Sequence, residues 1–163
     1  MSFQEAKAAD QGDATAQGRL GVAYSIGLGV PKDYAQAVHW SRKAADQGDA
    51  TGQHNLGSEY SIGRGVPKDY AQAVHWFRKA ADQGDANGYL LLGAMYHNGT
   101  GVPQDYVTAH KWYNLAASVF PASEIKQRNN AVAHRDRVAA LMTPVQIAEA
   151  QRLAREWTPT GAK

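Results

Sequence analysis

The feature that most constrains this chain is an internal repeat with a period of 36 residues. The segment 13–48 recurs as 49–84 with 29 of 36 positions identical, and a looser third copy begins at Asp85. Repeats of this length are stacked supersecondary units, and a single unit cannot bury its own apolar face. The sequence therefore predicts an all-α solenoid whose core forms between neighbouring repeats.

Each repeat carries two helical patterns separated by a turn. Leu20 and Tyr24 are four residues apart in the first half, and Ala37, Trp40 and Ala44 follow an i, i+3, i+7 spacing in the second half. Both spacings place apolar side chains on one face of a helix. Each repeat is therefore predicted to be a helix-turn-helix hairpin, with a first helix, helix A, and a second helix, helix B.

The residues at the ends of these patterns predict the helix boundaries. Asp13 and Asp33 are predicted N-caps, because a carboxylate accepts hydrogen bonds from the free N–H groups of the first turn. The run 27–31, Gly-Leu-Gly-Val-Pro, is predicted to end helix A, because glycine adopts positive φ and proline blocks a helix. Helix B is then predicted to run from Tyr34 to about Gln47.

The chain is predicted to be a single solenoid domain over residues 1–163. Its predicted segments are an N-terminal half-repeat 1–12, the repeats 13–48, 49–84 and 85–120, and C-terminal capping helices in 121–163. Thr143 and Pro144 are the predicted N-cap and first residue of the last helix. Such a cap would cover the apolar end face of the last repeat.

The residues that recur with the period resemble the Sel-one-like repeat, a branch of the tetratricopeptide-like superfamily. In the first copy the matching residues are Leu20, Gly21, Tyr24, Gly27, Gly29, Val30, Asp33, Ala37, Trp40, Ala44, Ala45 and Gly48. The resemblance implies a right-handed α/α superhelix, helix A on its concave side, a protein-interaction role and no shared catalytic site. The C-terminal extension is similar to that of small bacterial members. A cysteine-rich bacterial branch, discussed as binding β-lactam or cell-wall material, is disfavoured because this chain has no cysteine.

Composition excludes several classes of partner. Lysine plus arginine is 17 and aspartate plus glutamate is 15, which gives a formal charge of +2, and the basic residues are scattered. A nucleic-acid interface needs a basic patch, so no nucleic acid is expected. No apolar run approaches the ~20 residues of a membrane span. We expect a soluble chain, cytoplasmic as given, or periplasmic or secreted if an N-terminal signal was trimmed.

The motifs of catalysis and metal binding are missing or have a structural explanation. The six histidines lack the spacing that places two metal ligands on one helix face, so no metal or cofactor is expected. The Gly-x-Gly turns precede an aspartate at a helix start, which would repel a phosphate. There is no G-x-S-x-G or S-x-x-K motif and no cysteine nucleophile. The chain is predicted not to be an enzyme.

The first two repeats differ at seven positions, and five of these lie on helix A. The pairs are Ala16/Gly52, Gly18/His54, Arg19/Asn55, Val22/Ser58, Ala23/Glu59, Leu28/Arg64 and Ser41/Phe77. At ~100° per residue, the five helix A positions fall on the arc opposite the shared Leu20 and Tyr24. We interpret the shared arc as the packing face. The differing arc is either plain solvated surface or a ligand surface.

The third copy carries apolar residues on the same arc, with Leu90, Leu91 and Met95 beside Tyr89. Such a cluster needs a cover, which is either the C-terminal helix folded back on it or a bound peptide. The candidate partner-binding residues on the concave face are Arg19, Ala23, His54, Asn55, Glu59, Tyr89, Leu91 and Met95.

The function predicted from the sequence is a non-enzymatic scaffold that binds a peptide or a partner protein through the concave helix A surface. One alternative is a cell-wall-binding or β-lactamase-like hydrolase module. Self-association through the N-terminal edge is a further alternative, because a half-repeat leaves the first helix A open to a neighbouring chain.

Overall fold

The computed structural model describes residues 2–160, which form helices and turns and, within that range, no strand. The α-helices are α1 (Phe3–Asp10), α2 (Ala14–Ile26), α3 (Tyr34–Asp46), α4 (Ala50–Ile62), α5 (Tyr70–Asp82), α6 (Ala86–Asn98), α7 (Tyr106–Val119), α8 (Ile125–Ala139) and α9 (Pro144–Glu156). A short 3-10 helix, Ala122–Glu124, precedes α8. The predicted all-α class of repeated helix-turn-helix units is confirmed.

The helices begin and end where the capping residues place them. The Asp13 carboxylate accepts a hydrogen bond of 2.7 Å from the Ala16 N–H, and Asp33 caps α3 in the same way. Gly27 ends α2 with a φ of 77°, a left-handed conformation that favours glycine. Thr143 caps α9 with a capping box. The local sequence therefore determines the length of each helix.

The structure groups into two compact units, residues up to Ala80 and residues from Ala81 onward. In the first unit, α2 packs against α1, α3 and α4, and α3 packs against α4. One core cluster of this unit contains Val38, Ala45, Leu56 and Trp76. The single-domain assignment of the whole chain stays a prediction.

A buried hydrogen bond repeats with the 36-residue period in the first unit. The Gln17 side-chain amide donates to the Ala9 carbonyl at 3.0 Å, and the Gln53 amide donates to the Ala45 carbonyl at 3.5 Å. The same hydrogen bond therefore joins α2 to α1 and α4 to α3. This relation supports the interpretation of the N-terminal residues as half of a repeat.

Within a repeat, a glycine of helix A lies directly against a side chain of helix B. A Cβ placed on Gly57 would lie 2.6 Å from the Phe77 ring, and a Cβ on Gly93 would lie 2.7 Å from the Tyr113 ring. Such distances are shorter than carbon contacts allow, so only glycine permits this approach. In the first repeat, Gly21 faces Ser41 instead of an aromatic ring.

The second unit is organised around α7, which packs against α6, α8 and α9. Trp112 of α7 is fully buried, stacks on Tyr89 at 5.5 Å and meets the edge of Trp157 at 4.9 Å. The Trp157 indole N–H donates a hydrogen bond of 2.9 Å to the Tyr89 hydroxyl. The residues after α9 are therefore tied to the last repeat.

Replacing Trp112 by alanine is expected to destabilise the chain by about 3–5 kcal/mol, because a large buried ring is lost. Trp157→Ala is expected to cost less, since Trp157 is only partly buried. Urea unfolding followed by circular dichroism measures both. An equal or larger cost for Trp157→Ala would show that the C-terminal segment is an integral part of the core and not a cap.

Candidate functional site

In the first unit, four of the five predicted partner-binding residues line two cavities. The Arg19 cavity, of about 260 Å³, is lined by Arg19 and Ala23 together with Glu5, Val22 and Leu28. The Glu59 cavity, of about 180 Å³, is lined by Asn55 and Glu59 together with residues of α2 and α3. His54, the fifth residue, is partly buried and is not among the lining residues of either cavity.

The interpretation of the differing arc of helix A as free of packing is wrong for much of its length. Ala16 and Ala23 are only 7% and 3% exposed. A Cβ on Gly18 would lie 2.7 Å from the Asp49 carboxylate. The physical reason is that α2 packs against α4 as well as against α3, so two faces of helix A are covered.

Glu59 is the least expected residue of this arc, because it is only 6% exposed although its side chain is a carboxylate. One carboxylate oxygen accepts a hydrogen bond of 3.2 Å from the Ser25 hydroxyl, and the other oxygen, Oε2, has no protein partner. Burial raises the pKa of the Glu59 carboxyl, and the Ser25 hydrogen bond and the Arg64 charge only partly oppose this effect. The structure therefore holds an acid whose charge is not well compensated.

Asn55 lies one helical turn before Glu59 and lines the same cavity. Its side-chain nitrogen, Nδ2, is buried and donates no hydrogen bond to the protein. Buried polar groups in folded proteins nearly always have partners. An unsatisfied donor and an unsatisfied acceptor at one cavity are features of a binding site.

In the second unit the predicted residues have different surroundings. Tyr89 and Met95 are 1% and 7% exposed, whereas Leu91 is partly exposed. The neighbouring Leu90 packs against the core cluster that includes Val138 of α8. Trp157, which follows α9, thus covers Tyr89, and Leu90 packs on residues of α7 and α8, whereas the C-terminal helix itself was the cover expected. Tyr89 and Met95 consequently offer a partner little surface.

Sequence reasoning missed His110, which is 3% exposed and has an unpaired Nδ1. Burial and the charge of Arg135 lower the pKa of His110, while Asp136 opposes them. The signal was available in the repeat, because Val38 and Val74 occupy this position in the first two copies. A histidine at a core valine position predicts a buried imidazole.

The structure gives the other motifs structural roles. The glycines of the Gly-x-Gly turns end helices at Gly27, Gly63 and Gly99. Among residues 2–160, no group of three or more histidines and acidic residues could hold a metal ion. Over the same part of the chain, no helix is long and apolar enough to cross a membrane.

The geometry defines an α-helical repeat protein built from 36-residue hairpins, with cavities lined by residues of its helices. The Sel1 repeat model matches residues 14–49, 50–85 and 86–118. The chain therefore belongs to the Sel1 repeat family, which confirms the resemblance of its recurring residues to the Sel-one-like repeat. Proteins with these repeats are generally interaction scaffolds and typically have no catalytic activity.

Two solved structures show the same fold. A protective antigen of uropathogenic Escherichia coli that displays an SLR fold is 37% identical, with a TM-score of 0.83, over 93% of this chain and 31% of that chain. A Sel1 repeat protein from Oxalobacter formigenes is 32% identical, with a TM-score of 0.63, over 88% of this chain and 63% of that protein. This chain thus spans about a third of the first structure's length. No curated protein matches the sequence.

The stability of the Glu59→Gln variant relative to wild type is expected to rise with pH. Burial raises the pKa of the Glu59 carboxyl in the folded state above the ordinary value of 4.5. Above pH 4.5, unfolding therefore releases a proton from Glu59, and the contribution of Glu59 to the free energy of unfolding falls as pH rises. Urea unfolding between pH 4 and 8 measures this difference. The control is Glu5→Gln, which is expected to show the opposite trend because the Glu5 pKa is lowered. A pH-independent difference for Glu59→Gln would contradict the assignment.

The His110→Val variant, which restores the valine of the other repeats, is expected to resist acid better than wild type. Because the folded pKa lies below 6.5, stability at His110 is fully present above pH 6.5 and is lost as pH falls through the folded value. Thermal melting at pH 7.5 and 5.5 measures the effect. The exposed His75→Val variant is the control and should melt with the wild-type pH dependence.

Proposed function

We propose that the chain is a non-enzymatic scaffold that binds a peptide or a partner protein through the concave surface of its helices A. The observation that carries the proposal is the location of the differences between the first two repeats. The helix caps and most core residues are repeated, whereas several of the differing residues line the Arg19 and Glu59 cavities. A surface that only had to stack repeats would have no need of cavities with distinct chemistry.

The surviving candidate contacts are the residues of helices A that keep accessible surface or line a cavity. They are Arg19, Ala23, His54, Asn55, Glu59 and Leu91. The Arg19 cavity offers apolar carbon from Val22 and Leu28 beside an exposed ion pair in which Arg19 lies 3.5 Å from Glu5. Exposed ion pairs are weak, so a partner can separate this pair at little cost.

Photo-crosslinking in cells tests the proposal. A benzoylphenylalanine at position 19, 54 or 91 is expected to yield an adduct with a partner polypeptide. The same residue at the exposed helix B positions His39 and His75 is the matched control and should yield none. Mass spectrometry identifies the adducts. Equal labelling from both sets of positions, or none from helix A, would contradict the proposal, and an adduct with twice the mass of the chain would indicate self-association.

The hydrolase alternative has a direct assay. The scaffold proposal predicts that the purified chain leaves nitrocefin and muropeptides unchanged. Turnover that a single substitution abolishes would replace the scaffold proposal by an enzymatic one.

A further inference from the structure

The Glu59 cavity lies between three helices of the first unit. Gly21 and Val22 come from α2, Ser41 comes from α3, and Asn55 and Glu59 come from α4. Its walls thus belong to both helices of the first repeat and to helix A of the second. Its volume of about 180 Å³ is large enough for one side chain and too small for a secondary-structure element.

The cavity has an identifiable cause in the sequence. In the second and third repeats, an aromatic ring from helix B, Phe77 or Tyr113, lies against the glycine of helix A and is almost fully buried. In the first repeat the equivalent residue is Ser41, which is also buried but much smaller. The small Ser41 side chain therefore lies against Gly21 in place of a ring, and both residues line the Glu59 cavity.

The differences between the two near-identical repeats converge on this cavity. Of the seven differing positions, five contribute a lining side chain: Ser41, Asn55, Ser58, Glu59 and Arg64. Four of these replace an apolar or aromatic counterpart, namely Phe77, Val22, Ala23 and Leu28. Polar replacements on a solvated face would be scattered. Here they meet around one enclosed space.

The polar groups of the cavity define what a ligand has to supply. Asn55 Nδ2 needs a hydrogen-bond acceptor, and Glu59 Oε2 needs a donor. The Ser58 hydroxyl donates to the His54 carbonyl at 2.9 Å, so its oxygen is left to accept from a ligand. The Ser41 hydroxyl lies at the same cavity. Acceptors predominate among these groups.

The charge of the cavity favours a cation. Glu59 is a buried carboxylate, whereas Arg64, which also lines the cavity, is exposed and lies over the Tyr34 ring at 5.1 Å. Water and salt screen an exposed charge of this kind. A planar guanidinium has five N–H donors and no acceptor. It can donate to Glu59 and the serine hydroxyls together.

We propose that the Glu59 cavity binds the arginine side chain of a partner peptide, with the guanidinium on Glu59 and a main-chain carbonyl of the peptide on Asn55. This inference rests on the proposed function and names the chemistry of the partner. The peptide is required because the guanidinium alone has no acceptor for the Asn55 amide. The small Ser41 side chain, the convergence of the repeat differences and the two unpaired atoms all support a site at this one cavity.

Titration of the full chain with blocked peptides, followed by amide NMR shifts, tests the inference. Acetyl-Gly-Arg-Gly-amide is expected to shift the amides of Ser25, Ser41, Asn55 and Glu59. The citrulline peptide, which keeps the shape but loses the charge, should bind at least 10-fold more weakly. Ethylguanidinium should also bind more weakly, because it keeps the charged group but has no hydrogen-bond acceptor for the Asn55 amide. Equal binding of the citrulline peptide or ethylguanidinium, or shifts confined to other residues, would overturn the assignment.

Three variants locate the interaction. Glu59→Gln should weaken binding of the arginine peptide at least 10-fold, and Ser41→Phe should abolish it by placing the ring of the second repeat against Gly21. Asp46→Asn, which makes the same charge change at an exposed position of α3, should bind as wild type. Circular dichroism checks folding. If Ser41→Phe does not fold, Glu59→Gln decides the result.

The same variants separate this inference from the proposed function. Photo-crosslinks from positions 19 and 91 that persist unchanged in Glu59→Gln and Ser41→Phe would leave the scaffold function standing and overturn the arginine site. Absence of crosslinks in wild type, together with charge-dependent peptide binding at Glu59, would overturn the partner contacts proposed at positions 19 and 91 and uphold the arginine site.

Discussion

The close contact between the two helices of a repeat is the constraint on which the rest of the structure depends. It requires a glycine on helix A, because a Cβ on Gly57 or Gly93 would overlap the facing aromatic ring. The ring then fills the interior of the hairpin and is nearly fully buried, as Phe77 and Tyr113 are. Helix ends capped by aspartate and glycine keep the hairpins the same length, so this contact recurs with the period.

In the first repeat one member of this contact is different. Gly21 is retained, but Ser41 stands in place of the ring. The two helices of the hairpin still form, and a cavity lies beside them. Space of this kind admits polar side chains that a close-packed core would exclude. Asn55 and Glu59 stand there with one unpaired atom each, so the packing change and the unusual electrostatics have a common origin.

In the third repeat, the apolar residues on helix A are covered by other parts of the chain. Tyr89 stands where Gln17 and Gln53 form a hydrogen bond to the preceding helix in the earlier copies. Its hydroxyl accepts from the Trp157 indole, and its ring stacks on Trp112. The chain thus covers the last repeat with its own C-terminal residues, and an aromatic position that looks like a ligand anchor in the sequence serves as an anchor for the chain itself.

The sequence alone determined the period, the hairpin, the helix boundaries and the family, because caps, glycine turns and 3.6-residue patterns are local and are repeated three times. Only the tertiary structure decided which side chains on helix A remain available. A helical wheel separates shared from differing positions, but it cannot show that a second helix covers Ala16 and Ala23, or that Trp157 closes over Tyr89. Burial depends on helices distant in sequence. For the same reason, the sequence shows Ser41 only as a difference between two copies. The tertiary structure brings Gly21 and Glu59 next to it, and the three residues line one cavity.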